Sequence, residues 1–226
     1  MSLSFKQSIA VGTLCVLALA SNLAHAQAST TSLVGWTTFG DVVAQSGAIT
    51  LTTAYTDGDD APFNLSGNGA VDIGALEGAA GVATYGLDPS DVDYGTEGSL
   101  VGQSFDAVAG STLSFDWSFS SLQTEPGDRA FAVIGGVVTT LANVSEPGAA
   151  LQTFSITLSQ SGPVSFALGV IDTLDYVGVS TLSISNLKLL SVSAIPEPTT
   201  GALMLGGLAL VAAASRRFHR PAVARS

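Results

Sequence analysis

Apolar and polar residues alternate with a period of two through much of the middle of this chain. The clearest case is Thr112 to Ser120, where Leu113, Phe115, Trp117 and Phe119 share one face and Ser114, Asp116 and Ser118 the other. Successive side chains of a strand point to opposite faces, so this is the pattern of a half-buried β-strand, with Trp117 in the core. Thr153 to Ser159 repeats it with Phe154, Ile156 and Leu158, as do Val164, Phe166, Leu168 and Val170, and then Leu182 and Ile184. Shorter or less regular strands are expected at Leu33 to Phe39, Ala48 to Tyr55, Ala130 to Ile134 and Val137 to Leu141. Turn clusters separate them: Asp57-Gly58-Asp59-Asp60, Glu125-Pro126-Gly127-Asp128, Glu146-Pro147-Gly148 and Ser161-Gly162-Pro163. Strands at this spacing, each with one apolar face, predict an all-β, two-sheet sandwich. One helical turn is expected around Gly74 to Ala80, where Ala and Leu cluster without β-branching.

The period changes at the two ends. Residues 1–26 read as a secretory signal peptide, with Lys6 in the n-region, an apolar core from Ile9 to Ala20, and Ala24-His25-Ala26 as the cleavage site. Cys15, the only cysteine, lies in the part removed, so the mature chain is expected to have no disulfide. At the other end, residues 195–220 have three parts in order. Pro196-Glu197-Pro198 is extended, because two prolines fix two φ angles and remove two backbone donors. Thr199 to Ser215 carries no charge, and as a helix it would be about 25 Å long at roughly 1.5 Å per residue. That is slightly short of the approximately 30 Å hydrocarbon core, a gap that snorkelling arginines and local thinning can close. Arg216, Arg217 and Arg220 then mark the cytoplasmic side, with residues 221–226 as a cytoplasmic tail. A plain C-terminal anchor or a buried helix accounts for the same pattern on physical grounds alone.

This tail resembles the PEP-CTERM sorting signal of Gram-negative bacteria, in which a Pro-Glu-Pro motif, a hydrophobic span and a basic end follow in this order. Pro196, Glu197 and Pro198 match the motif, and Arg216 with Arg217 the basic end. The resemblance covers about the last tenth of the chain. It implies an exported protein held briefly in the inner membrane by a single transmembrane helix, cut near the motif by an exosortase, and left at the cell surface or outside. Such proteins commonly belong to bacteria that make exopolysaccharide and biofilm. A second resemblance covers most of Gly110 to Leu189. The runs GSTLSFDWSF, DRAFAVIGG and GVIDTLDYVGVSTLSISNLKL are similar to the jelly-roll domains often carried by PEP-CTERM proteins. It implies a jelly-roll-like sandwich for residues 27–194, and no activity, since related jelly rolls include carbohydrate-binding modules but fold alone does not carry function.

Composition narrows the chemistry. Of seven basic residues only Arg129 and Lys188 fall in residues 27–194, against all but one (Glu197) of the 18 acids. So acidic a surface repels nucleic acid, which is excluded as a partner. Both histidines lie outside the domain, His25 in the signal and His219 in the tail. Without His or Cys, Ser-His-Asp and Cys-His nucleophilic sites and the usual zinc ligand sets are ruled out there. Carboxylate chemistry is the catalytic route left, and a glycosidase needs two carboxyls facing across a cleft. Its candidates are Glu77, Glu97, Glu125 and Glu146, most of them in loop or turn sequences where solvated acids are the plainer reading.

Calcium is a better use of the acids. Asp172-Thr173-Leu174-Asp175 lies between two expected strands, and Asp88, Asp91 and Asp93 share another loop. Hard cations take several oxygen ligands, so clustered aspartates fit, although neither loop has EF-hand spacing and turn formation also selects Asp. Asp172 and Asp175 are the candidate metal ligands. Trp36, Tyr55, Tyr85, Tyr94 and Tyr176 are candidates for stacking on sugar rings if a sheet face or loop exposes them, with a mixed role at the domain edges the plainer reading for the tyrosines. The expected function is therefore an exported, non-catalytic protein of the extracellular polysaccharide matrix or cell surface. A carbohydrate-binding module is the alternative, and a carboxylate-dependent glycosidase stands behind both.

Overall fold

The computed structural model describes residues 28–31, 35–45, 47–90, 92–123, 127–144 and 150–192, and three positions near the C-terminus, 207, 208 and 211. Contacts divide the chain into two compact units, one of them Gln27–Ser193. The other combines residues 1–26 and 194–226; within it Gly207, Leu208 and Val211 are helical. The expected signal peptide, Pro196-Glu197-Pro198 and Arg216, Arg217 and Arg220 lie outside the described residues, as does nearly all of the expected transmembrane span. Among the described residues no helix is long and apolar enough to cross a membrane.

Among its described residues the Gln27–Ser193 unit is all-β apart from one short helix and one 3-10 turn. In chain order its strands are β1 (Ala28–Thr31), β2 (Thr37–Phe39), β3 (Asp41–Gln45), β4 (Ala48–Thr52), β5 (Val71–Asp72) and β6 (Gly95–Ala107). After them come β7 (Thr112–Ser121), β8 (Arg129–Ile134), β9 (Val137–Asn143), β10 (Gln152–Thr157), β11 (Gly162–Thr173) and β12 (Ser180–Val192). The helix α1 (Ile73–Ala80) follows β5 directly. They build two antiparallel sheets. One runs β10-β7-β12-β4-β3, with β1 also on β12; the other runs β2-β6-β11-β8-β9, with β5 also on β6. The sheets pack face to face as a β-sandwich.

The alternation read from the sequence locates the core. Leu113, Phe115, Trp117 and Phe119 of β7 are all buried, as are Leu182 and Ile184 of β12, and they meet Phe166, Leu168 and Val170 of β11 between the sheets. Phe115 stacks on Phe154 at 4.9 Å between ring centroids and meets Phe166 of the opposite sheet at 6.1 Å. Trp36 packs against Phe166 at 5.8 Å, half-buried in the core.

Two expectations need correction. The first concerns β11, where the sequence suggests a single apolar face. Phe166 through Thr173 are buried without interruption, because α1 covers the outer face of this sheet. Leu76 and Ala80 of α1 close a second core over Leu100, Phe131, Val133, Ala167 and Ile171. Asp72 caps the helix by accepting from the Gly74 amide at 2.8 Å, and Gly81 ends it at φ +69°. The second concerns β6, one of the two longest strands, which the apolar pattern does not reveal. Gly95, Gly98 and Gly102 interrupt it. A side chain at Gly98 would collide with the Val170 carbonyl and Ile171, so glycine there permits the close approach of β6 to β11. The edge strand β10 shows the limit of alternation: Phe154 is covered while Ile156 stays 37% exposed.

Replacing Phe115, 1% exposed, with alanine should destabilise the fold by about 3–5 kcal/mol, the usual range for a buried Phe. Ile156→Ala on the same apolar face should cost roughly half as much or less, about 1.5 kcal/mol, since more than a third of that side chain is already in water. Urea unfolding of both variants checks the pair, and equal losses would contradict the layering described.

Candidate functional site

The register of the second sheet brings three acids into one row. Asp172, the penultimate residue of β11, lies directly opposite Glu97 of β6. On the other flank Ile171 pairs with Arg129 of β8, so Asp128 falls opposite Asp172 one step beyond the last registered pair. Directly opposed residues point to the same face. For β11 that face is set by Phe166, Leu168 and Val170, which fill the space between the sheets, and Asp172 is the next position along it. The row Glu97–Asp172–Asp128 therefore ends the inter-sheet core, and each is buried to 1% exposure or less.

Their hydrogen bonds are uneven. Glu97 accepts from the Tyr55 hydroxyl, and Asp128 accepts from the Ser180 hydroxyl of the facing sheet at 2.5 Å. The carboxyls of Asp172 and Asp128 lie within hydrogen-bonding reach of each other, and the Thr173 amide approaches Asp128; beyond these, the second oxygen of Asp128 and both oxygens of Asp172 meet no donor. Asp175, half-buried in the loop after β11, accepts from the Gln123 amide at 2.8 Å and the Val177 amide at 2.9 Å. Thr96 ties that loop down by donating to the carbonyls of Asp175 and Asp172. Leu174 between them takes φ +73°, a left-handed conformation that L-residues rarely adopt.

Burial pushes the Asp172 carboxyl up to about 9, with the Asp128 charge adding to it. Burial also raises Glu97 to about 7 against the lowering effect of the Tyr55 hydroxyl, and it raises Asp128 against the Ser180 hydroxyl. The phenol of Tyr55 is raised in turn, by burial first and by its bond to Glu97 second.

Asp41 shows how this protein treats a buried aspartate with a purely structural role. It is fully buried, and its carboxylate accepts from the Leu65 and Ser66 amides and from the Thr52 hydroxyl. In the other candidate loop Asp88 accepts from the Gly95 amide at 2.8 Å and Asp93 from the Ser90 hydroxyl at 2.9 Å, while Asp91 lies outside the described residues. Of the two candidate metal ligands, Asp172 enters the row and Asp175 sits beside it. Asp128, which the sequence presents as a turn residue, and Glu97, which it presents as one loop glutamate among several, complete the cluster. A signal for it does exist, since Asp172 continues the two-residue spacing of Val164, Phe166, Leu168 and Val170.

Tyr55 links the acids to the surface. Tyr55 and Tyr176, with Asp57, Asp59, Asp60, Val177 and Gly178, line an open groove of about 260 Å³. Tyr176 is 61% exposed there, and the Tyr55 amide donates to Asp60 at 3.2 Å. Tyr85 and Tyr94 are exposed outside this groove.

No family model matches the chain, and no curated protein matches it. Among solved structures it is similar to TmCBM61 in complex with beta-1,4-galactotriose, at 14% identity over 43% of this chain and 67% of that one, with a TM-score of 0.30. So slight a likeness carries neither fold nor ligand across.

The raised carboxyls set the sign of the pH dependence. Between the ordinary carboxylate range and about pH 9, the folded chain retains protons that the unfolded chain releases. Stability in chelator should therefore fall as pH rises through that window, at about 1.4 kcal/mol per pH unit for each retained proton. Asp172→Asn should flatten the profile. Melting curves from pH 5 to pH 9 check this, and a midpoint that rises with pH would contradict it.

Proposed function

We propose that this chain is an exported, non-catalytic protein of the extracellular polysaccharide matrix or cell surface, whose jelly-roll-like domain touches glycan at the Tyr55–Tyr176 groove. The groove is the observation that carries it. Two tyrosines offer apolar ring faces to the C–H faces of sugars, and the carboxylates of Asp57, Asp59 and Asp60 accept from sugar hydroxyls. The acidity of the domain favours a neutral, hydroxyl-rich polysaccharide over an anionic one. A stand-alone carbohydrate-binding module would use the same groove. A glycosidase has less support, because Glu97 and Asp172 are closed to solvent and stand side by side on neighbouring strands instead of across a cleft.

The route to the surface rests on the two ends of the sequence. An N-terminal export signal puts the acidic domain outside, and Arg216, Arg217 and Arg220 keep the end of the span in the cytoplasm. Pro196-Glu197-Pro198 then lies at the outward-facing membrane–water boundary of the inner membrane, where an exosortase can cut its extended backbone. Processing removes the span, so an inner-membrane stage precedes release.

Two outcomes are expected. Mature protein from surface or culture-fluid fractions should lack peptides extending through Arg216 by mass spectrometry; finding them would overturn the sorting proposal. In pull-downs with neutral polysaccharide, Tyr176→Ala should weaken binding roughly three- to tenfold, the equivalent of about 0.5–1.5 kcal/mol. Tyr85→Ala should leave it unchanged. Equal effects of the two would count against the groove.

A further inference from the structure

We propose that Asp172 and Asp128 hold a divalent hard cation, calcium, at the end of the inter-sheet core, with Glu97 and Asp175 adding negative field around it. The proposal stands independently of the polysaccharide reading.

Asp172 is the central observation. It is 1% exposed, and apart from the Asp128 carboxyl within hydrogen-bonding reach, neither of its carboxylate oxygens meets a donor. A buried carboxylate in that condition is costly unless a proton or a cation neutralises it. The domain's two basic side chains are engaged elsewhere. Arg129 donates to the Leu87 carbonyl and the Thr140 hydroxyl and lies over the Phe131 ring at 5.9 Å, and Lys188 is near Asp116. Asp41, with three donors on its carboxylate, shows that the fold readily supplies partners when an aspartate is there to brace a loop. At Asp172 it supplies no amide or hydroxyl donor, and instead sets a second carboxyl, Asp128, opposite and within hydrogen-bonding reach.

The donor set selects the cation. Residues 27–194 contain no His or Cys, so nitrogen- and sulfur-seeking metals find no suitable ligands. These carboxylate oxygens, two of Asp172 and one of Asp128, are hard donors. Among the described residues no three His, Cys, Asp or Glu side chains converge closely enough to hold a metal by themselves. Main-chain oxygens and water must therefore complete the shell, which suits calcium, with its six to eight irregular ligands, better than strictly octahedral magnesium. With two protein carboxylates the affinity should be that of an extracellular module, Kd about 10⁻⁴ M.

The test uses the full chain purified in detergent, stripped with chelator and titrated with calcium chloride by calorimetry, with melting curves in parallel. One calcium per chain and a melting temperature raised by several degrees are expected. Asp172→Asn and Asp128→Asn should each weaken binding by at least roughly a hundredfold, more than the usual cost of losing an outer-shell partner. Asp106→Asn, which removes an exposed charge near the far end of β6, should leave binding intact. No saturable binding, binding that survives Asp172→Asn, or an equal loss in Asp106→Asn would overturn the proposal. If neither ligand variant folds, terbium(III) decides on the unaltered chain. One terbium per chain, sensitised by the nearby tyrosines and displaced by calcium, supports the site; absence of such emission overturns it.

Discussion

The enclosure of β11 on four sides is the constraint on which the fold depends. β6 and β8 flank it within its sheet, the facing sheet covers its inner face, and α1 covers its outer face. A strand covered on both faces must be apolar at consecutive positions, and Phe166 to Ile171 satisfy this with one glycine among them. That glycine, Gly169, lies where a side chain would strike the Phe131 ring, just as Gly98 of β6 lies against the Val170 carbonyl. Glycine thus brings the neighbouring strands and the ring of β8 close around β11. The two hydrophobic cores lie on its opposite faces, so their stabilities are coupled through one strand.

The same enclosure makes the acids consequential. Had β11 ended at Ile171, Asp172 would have been an ordinary loop residue in water. Instead the strand continues into the covered region and carries a carboxylate with it, directly opposite Glu97 and next to Asp128. Like charges placed opposite one another destabilise a sheet, and desolvation adds several kcal/mol per ion. A bound cation relieves both costs at once. The short path from Glu97 through the Tyr55 hydroxyl to the groove then places any such cation just beneath the surface proposed to meet glycan. Asp175 and Tyr176 both belong to the loop that follows β11.

How much of this was legible in the sequence depends on what each residue's environment requires of it. β7 was plain, because one of its faces is core and the other polar, which is the condition that produces alternation. The Gly74 to Ala80 turn was legible too, and the structure extends it by one residue to Ile73–Ala80. β6 was hidden, because tight packing demands glycine, and glycine in a sequence also reads as a turn. Asp172 and Asp175 stood out as a loop pair, whereas Asp128 was concealed in a Glu-Pro-Gly-Asp turn signal. What joins Asp128 to Asp172 is strand register between segments 44 positions apart, and no local pattern carries that. The tail is the converse case: order and charge alone leave a plain anchor or a buried helix open, and the reading of Pro196-Glu197-Pro198 and the arginines as an address comes from the resemblance.

The central claim is that the buried row of carboxylates is built around a cation. The most direct measurement is a high-resolution crystal structure of the protein grown with calcium at neutral pH, together with an anomalous difference map. The account predicts one strong peak between the carboxylates of Asp128 and Asp172, with main-chain oxygens and water filling the remaining positions. A structure in which those two carboxyls instead share a proton, with no peak between them even when calcium is present, would contradict it.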